Sequence, residues 1–379
     1  MAWNLWAYTV TVMATFAVIV ATNLSYLIGP TGAAFTRQGW YTPLVSATTI
    51  VAVTAVSILG LRTSKWLQNV GGAAQFLTYA ALVLVPFLAV RRGLLSSYHP
   101  LATSAPAISL LSLNIFGKMA LGALSGFEYV AILAGECRDP ARTIRRSVLL
   151  AVPVIATMFI LGTSSVLALV PNARIDLVSP IPQTLTIGFQ GLGFAGLIVP
   201  ALILLLLMRQ LGTVTLIFAG NTRLPMVAGW DGLLPSWFTH LHPRFRTPVN
   251  SIALVGALTL AFTLVGQIGV GVQEAFQLIE NVAGILYGFT YLGLFAIPLV
   301  AAKRLGRRPP WWLRLASVSG LVVSLLYCTL SIFPIIEVAS WRLFAAKIVV
   351  TLLAIQLAGI GLYALGARRR RSAAGVLVP

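Results

Sequence analysis

The sequence predicts an all-α fold, a polytopic transmembrane helical bundle of about ten spans. Three observations carry this. The 379 residues are 58% hydrophobic and only 9% charged, whereas a soluble domain carries about 25% charged residues. Apolar runs of about 20 residues, each enough to cross a bilayer, recur along the whole chain. The cations behind the formal charge of +18 sit in short blocks between those runs, as the positive-inside rule expects. That placement argues against a nucleic-acid partner. Two cysteines, Cys137 and Cys328, are too few for a disulfide framework. The opening MAWNLWAYTV lacks a basic n-region, and its apolar run is too long for a cleaved leader.

The expected spans are roughly 4–28, 41–60, 72–90, 111–135, 147–170, 190–219, 249–267, 275–302, 313–333 and 343–366. The Arg368–Arg371 tail, Arg138 to Arg146 and Lys303 to Arg308 fall on one side, where Lys and Arg are in clear excess. That side is read as cytoplasmic, with both chain ends on it. Arg91-Arg92 is the pair that opposes the rule. The first span, Leu5–Leu27, has no ionisable group beyond tyrosine, and Trp3 and Trp6 suit an interfacial belt. A short amphipathic link, SKWLQNVGG, is expected before the third span. Gln75, in that span's opening turns, reads as a helix–helix hydrogen bond or a functional amide.

The stretch Leu121–Arg146, LGALSGFEYVAILAGECRDPARTIRR, organises the rest. It carries a carboxylate, Glu128, in an apolar run just after Ser125-Gly126. An ionised carboxylate at mid-bilayer costs about 3 kcal/mol on insertion scales, so it should face protein or a water-filled path. Gly122, Ala123, Ser125 and Gly126 leave backbone approachable. A helix that breaks there frees N–H and C=O groups, which membranes tolerate only beside a cavity or other polar groups. The alternative is a small-residue packing face, with Glu128 paired to a buried cation. Lys118, ten residues earlier, is about 15 Å away along a regular helix and is expected to snorkel outward. Arg209, inside LLLLMRQLGTVTLIFAG, is the natural partner for Glu128, or else snorkels itself.

Glu280-Asn281, followed by Gly284, Tyr287, Gly288, Thr290 and Tyr291, forms a polar and small face. It suits either a cavity wall, with Glu280 and Tyr287 lining it, or helix packing. Leu233–Leu241 reads as a short helix at the membrane surface. His240 and His242 are two apart and His99 is alone, so no metal site is expected. H-E-x-x-H, G-x-S-x-G, Walker A and C-x-x-C motifs are absent. Enzymatic chemistry and a cofactor are therefore not expected, and no acidic ring or carbonyl filter points to a channel.

Two segments carry a family resemblance. SGFEYVAILAGECRDPARTIRRSVLLAV resembles the sixth helix and following loop of amino acid permeases of the amino acid–polyamine–organocation superfamily. RLPMVAGWDGLLPSWFTHLHPRFRTPV resembles their loop after the eighth helix, through Arg223, Asp231-Gly232, Leu234-Pro235, Leu241-His242-Pro243 and Thr247-Pro248. The resemblance implies a LeuT-type inverted-repeat fold in a single transmembrane domain. Residues 1–110 would complete the first repeat, 111–302 form the second, and 303–379 hold two further helices and the basic tail. The spans then correspond to family helices three to twelve. The first two helices are expected to lie outside this chain, through a start upstream or a true truncation.

The implied function is secondary transport of an amino acid or amine across the cytoplasmic membrane by alternating access, as proton symport or exchange. Substrate contact is implied at Gly122, Ser125, Gly126 and Phe127, and Glu128, Arg209 and Gln75 are the proton-linked or structural residues. An aromatic gate common in the family is replaced by Gly122, and a lysine of some proton-coupled members by Gln75. The implied partners are the bilayer, the substrate and a proton or counter-substrate. The competing expectation is a non-transporting fragment or scaffold subunit.

Overall fold

The computed structural model describes residues 1–59, 61–101, 107–127, 139–230, 234–304 and 309–375. These fold into helices and loops. In chain order the α-helices are α1 (Ala2–Ile28), α2 (Pro30–Thr36), α3 (Tyr41–Leu59), α4 (Leu61–Arg91), α5 (Leu110–Leu124), α6 (Pro140–Leu169) and α7 (Pro180–Phe189). They continue with α8 (Ala195–Asn221), α9 (Leu224–Trp230), α10 (Val249–Gly266), α11 (Val272–Arg304), α12 (Trp311–Leu330) and α13 (Trp341–Gly375). Among the described residues nine helices are long and apolar enough to cross a membrane, and α5 is a shorter apolar one. With this composition the chain is a multi-pass membrane protein.

Helix ends follow local chemistry. α5 starts at a capping box in which Ser109 and Ser112 satisfy each other's backbone amides. α6 starts where Asp139 accepts from the Arg142 amide and Pro140 occupies the first turn. Arg92, on the side expected to be poor in cations, is pinned: its guanidinium donates to the carbonyls of Gly188 (3.4 Å) and Gln190 (2.8 Å) at the C-terminus of α7. A helix end rich in free carbonyls attracts a cation regardless of membrane sidedness.

α1 is the axis of the bundle. Of its most apolar window 72% is buried, against 6% for α6 and 11% for α13. It packs against α11, α8, α3 and α10, while α4 lies along α8. The polar residues of α1 are compatible with this because their hydroxyls bond back to their own helix: Thr9 to Leu5, Thr11 to Ala7, Thr22 to Val18. Close packing of α11 on α12 uses glycines. A Cβ at Gly284 would overlap the Tyr327 hydroxyl, and one at Gly288 the Cys328 sulfur. At these two positions the small face of α11 is therefore a packing surface.

Several expectations needed revision. The link SKWLQNVGG is not a separate element, because α4 runs unbroken for 31 residues from Leu61. Helix-forming Leu and Gln carry the helix through this link, which holds no proline; Pro86 lies much further along the same helix. The span expected at 111–135 stops as a described helix at Leu124. The surface helix expected at Leu233–Leu241 is a single 3₁₀ turn, Ser236–Thr239, started by Pro235. The Trp3 indole N–H donates to the Ile355 carbonyl, and Gln356 bonds Asn4, which ties the start of α1 to α13. Within the second family segment, residues 242–247 form a closed turn that is anchored to α3. His242 and Thr247 are joined through the backbone, His242 Nδ1 accepts from the amides of Arg244 and Phe245, and Thr247 Oγ1 donates to Ile58.

Candidate functional site

α5 is a half-helix. After Leu124 the chain leaves helical geometry: Ser125 is extended (φ −103°, ψ 166°) and Gly126 has φ 101°. Only glycine adopts that φ without strain, so Ser125-Gly126 is built to break the helix. The last carbonyls of α5 lose their intrahelical partners there. The freed Gly126 N–H donates to the Tyr291 hydroxyl of α11 at 3.2 Å. Among the described residues, a Cβ on Gly122 or Gly126 would meet nothing within 4 Å, so open space lies against both there. Ser125, Gly126 and Phe127 are partly exposed and Gly122 is exposed.

An aromatic row flanks the break. Tyr8 of α1 stacks on Tyr287 at 4.2 Å, Tyr287 meets Tyr291 edge-on at 5.0 Å, and Tyr291 lies 5.9 Å from Phe295. Tyr287 is itself buried. One face of α5 is fixed to α12: Asn114 donates to the carbonyls of Leu330 (2.9 Å) and Phe333 (3.2 Å), and Gly117 lies against Tyr327. The opposite face, with Phe116, Met119, Ala120 and Ala123, borders an apolar cavity of about 830 Å³ shared with α6.

A charged cluster sits two turns before the break. Lys118 Nζ donates to Asn281 Oδ1 on α11, and its ammonium attracts the neighbouring Glu280 carboxylate. The Thr15 hydroxyl of α1 faces that carboxylate without making an ordinary hydrogen bond. Lys118 therefore turns into the bundle rather than snorkelling out. Its partner, Asn281, lies 163 residues away on another helix.

Arg209 and Gln75 belong to another interface. Arg209 is on α8 where α4 crosses closely: a Cβ on Gly71 would be 3.2 Å from the Arg209 Cα. Gln75 is one turn further along α4. Arg209 Nη1 reaches Gln210 Oε1 at 3.5 Å, and its Nε is buried without a hydrogen-bond partner among the described residues. Glu128, the partner expected for it, lies outside the described residues, as do Glu136, Arg138 and Asp231-Gly232. The structure thus sets Tyr291 against Gly126, within the stretch that holds Gly122, Ser125 and Phe127, and places Lys118 and Glu280 near each other between α5 and α11. Reading the sequence alone missed Lys118, Thr15, Tyr8 and Tyr327 as neighbours of this region. Thr15 is one of four threonines on α1, so nothing in the sequence singled it out.

The sequence profile described as amino acid permease matches residues 1–354. The chain is 24% identical to the human b(0,+)-type amino acid transporter 1 over 89% of this chain and 66% of that protein. It is 26% identical to an uncharacterised transporter of Mycobacterium tuberculosis over 59% of this chain and 49% of the relative. It is also 22% identical to the mouse Asc-type amino acid transporter 1 over 75% and 52%. The chain spans about half to two thirds of the length of these relatives.

Proposed function

The chain belongs to the amino acid permease family, and on that premise we propose that it is a secondary transporter of amino acids or related amines, working by alternating access. The observation that carries the reading is the break at Ser125-Gly126, with open space against Gly122 and Gly126. The carbonyl end of a half-helix carries partial negative charge and free acceptors, which suit a substrate ammonium. Ser125 and Phe127 supply side chains at the same place. The names of the relatives, two of them amino acid transporters, support the substrate class. Proton symport or exchange as the driving reaction, Glu128, Arg209 and Gln75 as its proton-linked or structural residues, and a cytoplasmic membrane with both chain ends inside complete the proposal.

The test is a thermal-unfolding screen of the purified protein against amino acids and amines. A ligand at 100 times its Kd adds about 2.7 kcal/mol of stability. A reproducible upward shift with a subset of amino acids is expected, and the reading fails if none shifts the transition and proteoliposomes show no counterflow.

A further inference from the structure

We propose that Glu280 is a proton-binding group of the transport cycle, linked to the broken helix through Lys118. The proposal rests on the transporter reading above. Among the described residues, Glu280 is the carboxylate set within a membrane-spanning helix beyond its first turn. Asp139 caps α6, Asp176 and Glu337 lie in loops, and Glu274 opens α11 within 4.0 Å of Lys347. Glu280 sits deep among helices yet stays partly accessible, which requires water-sized space beside it. Such a carboxylate inside a membrane protein marks an ion or proton path more often than a structural contact.

Its surroundings are specific. α5 brings Lys118, α1 brings the Thr15 hydroxyl, and α12 brings Tyr327 with Cys328 beside it. α10 brings no ionisable side chain, and Lys347 of α13 is engaged with Glu274. Lys118 makes no ion pair with Glu280 within 4.0 Å. Asn281 stands beside both, its Oδ1 holding the ammonium and its buried Nδ2 unpartnered among the described residues. The carboxylate is therefore held by charge attraction at a distance, on a residue that keeps some accessible surface.

The step is a simple protonation. A proton from water bonds to a carboxylate oxygen of Glu280, and the negative charge is lost. Lys118 then keeps only the Asn281 carbonyl, and α5 loses most of its electrostatic tie to α11. Another polar tie among the described residues is the Gly126–Tyr291 hydrogen bond at the break itself. Loss of the proton restores the attraction and draws the half-helix back. Occupancy of Glu280 thus biases the position of the segment that forms the proposed substrate site.

The experiment is an infrared pH titration of the purified protein, following the carbonyl stretch of protonated carboxyl groups, beside counterflow and pH-gradient-driven uptake in proteoliposomes. Wild type should show a titrating carboxyl band that disappears in Glu280→Gln and changes frequency in Glu280→Asp. Lys118→Met should displace the midpoint of that band, and Lys118→Arg should leave it in place. Glu280→Gln should keep counterflow and lose accumulation driven by the gradient. An unaltered band in Glu280→Gln, or gradient-driven accumulation equal to wild type, overturns the proposal even where counterflow stands. A titrating Glu280 band in a protein without counterflow sinks the transporter reading and leaves the proton site.

Discussion

Of the helix ends followed by a positive-φ glycine, those of α1 and α5 are satisfied in opposite ways. α1 ends at Gly29 (φ 78°), where the chain repairs itself locally. The Gly29 amide donates to Ser25 at 3.1 Å, Ala33 donates back to Gly29 at 3.0 Å, and α2 starts at once with Pro30. α5 ends before Gly126 (φ 101°), whose amide is held by a phenol 165 residues away in sequence. The first break is a turn closed by its own neighbours. The second depends on a tertiary contact that can be made and broken, beside open space. The comparison separates a break that shapes the chain from one that can serve a ligand.

The largest expected effect is at the first end. A Cβ on Gly32 would overlap the Ser25 carbonyl oxygen, a backbone atom with little freedom to move. Gly32→Ala should cost about 3 kcal/mol, the upper end for overpacking, read as a fall in apparent Tm, while any ligand-induced shift persists. Gly126→Ala comes next. Forcing an L side chain to φ 101° should cost about 2 kcal/mol and also abolish the ligand-induced shift, because the methyl enters the open space. If Gly126→Ala keeps that response, the two breaks are equivalent and the comparison fails.

Tyr291→Phe removes the acceptor of the Gly126 amide. It should lower stability by about 1 kcal/mol or less, since water can replace the phenol beside open space, and weaken ligand binding in a titration. The smallest effect has the opposite sign. Gly122 is helical, exposed and free of neighbours within 4 Å. Gly122→Ala should raise stability by roughly 0.5–1 kcal/mol through helix propensity, while weakening the binding of ligands that fill the adjoining space. A variant more stable than wild type and equally good at binding would remove Gly122 from the proposed site.

Much of this was legible in the sequence because it is local. Hydrophobic length placed the spans, and Ser125-Gly126 announced the break that the backbone makes. Contacts between distant segments were not legible. Lys118 looked solitary because its helix holds no partner within reach, and the partner is Asn281 on α11. Gly284 and Gly288 read equally as cavity wall or packing face until Tyr327 and Cys328 were seen to fill the space beside them. Arg92 broke the charge rule for a reason that lies in another helix, the exposed carbonyls at the end of α7.

The most direct test of the central claim is labelling of Ser125→Cys, made in a Cys137→Ser background; the native Cys328 is buried. A small, water-soluble thiol reagent should modify the new cysteine, and the amino acid with the largest thermal shift should slow that reaction strongly. Absence of labelling in a folded protein, or an unchanged rate with every amino acid tried, would contradict a ligand site at the end of the half-helix.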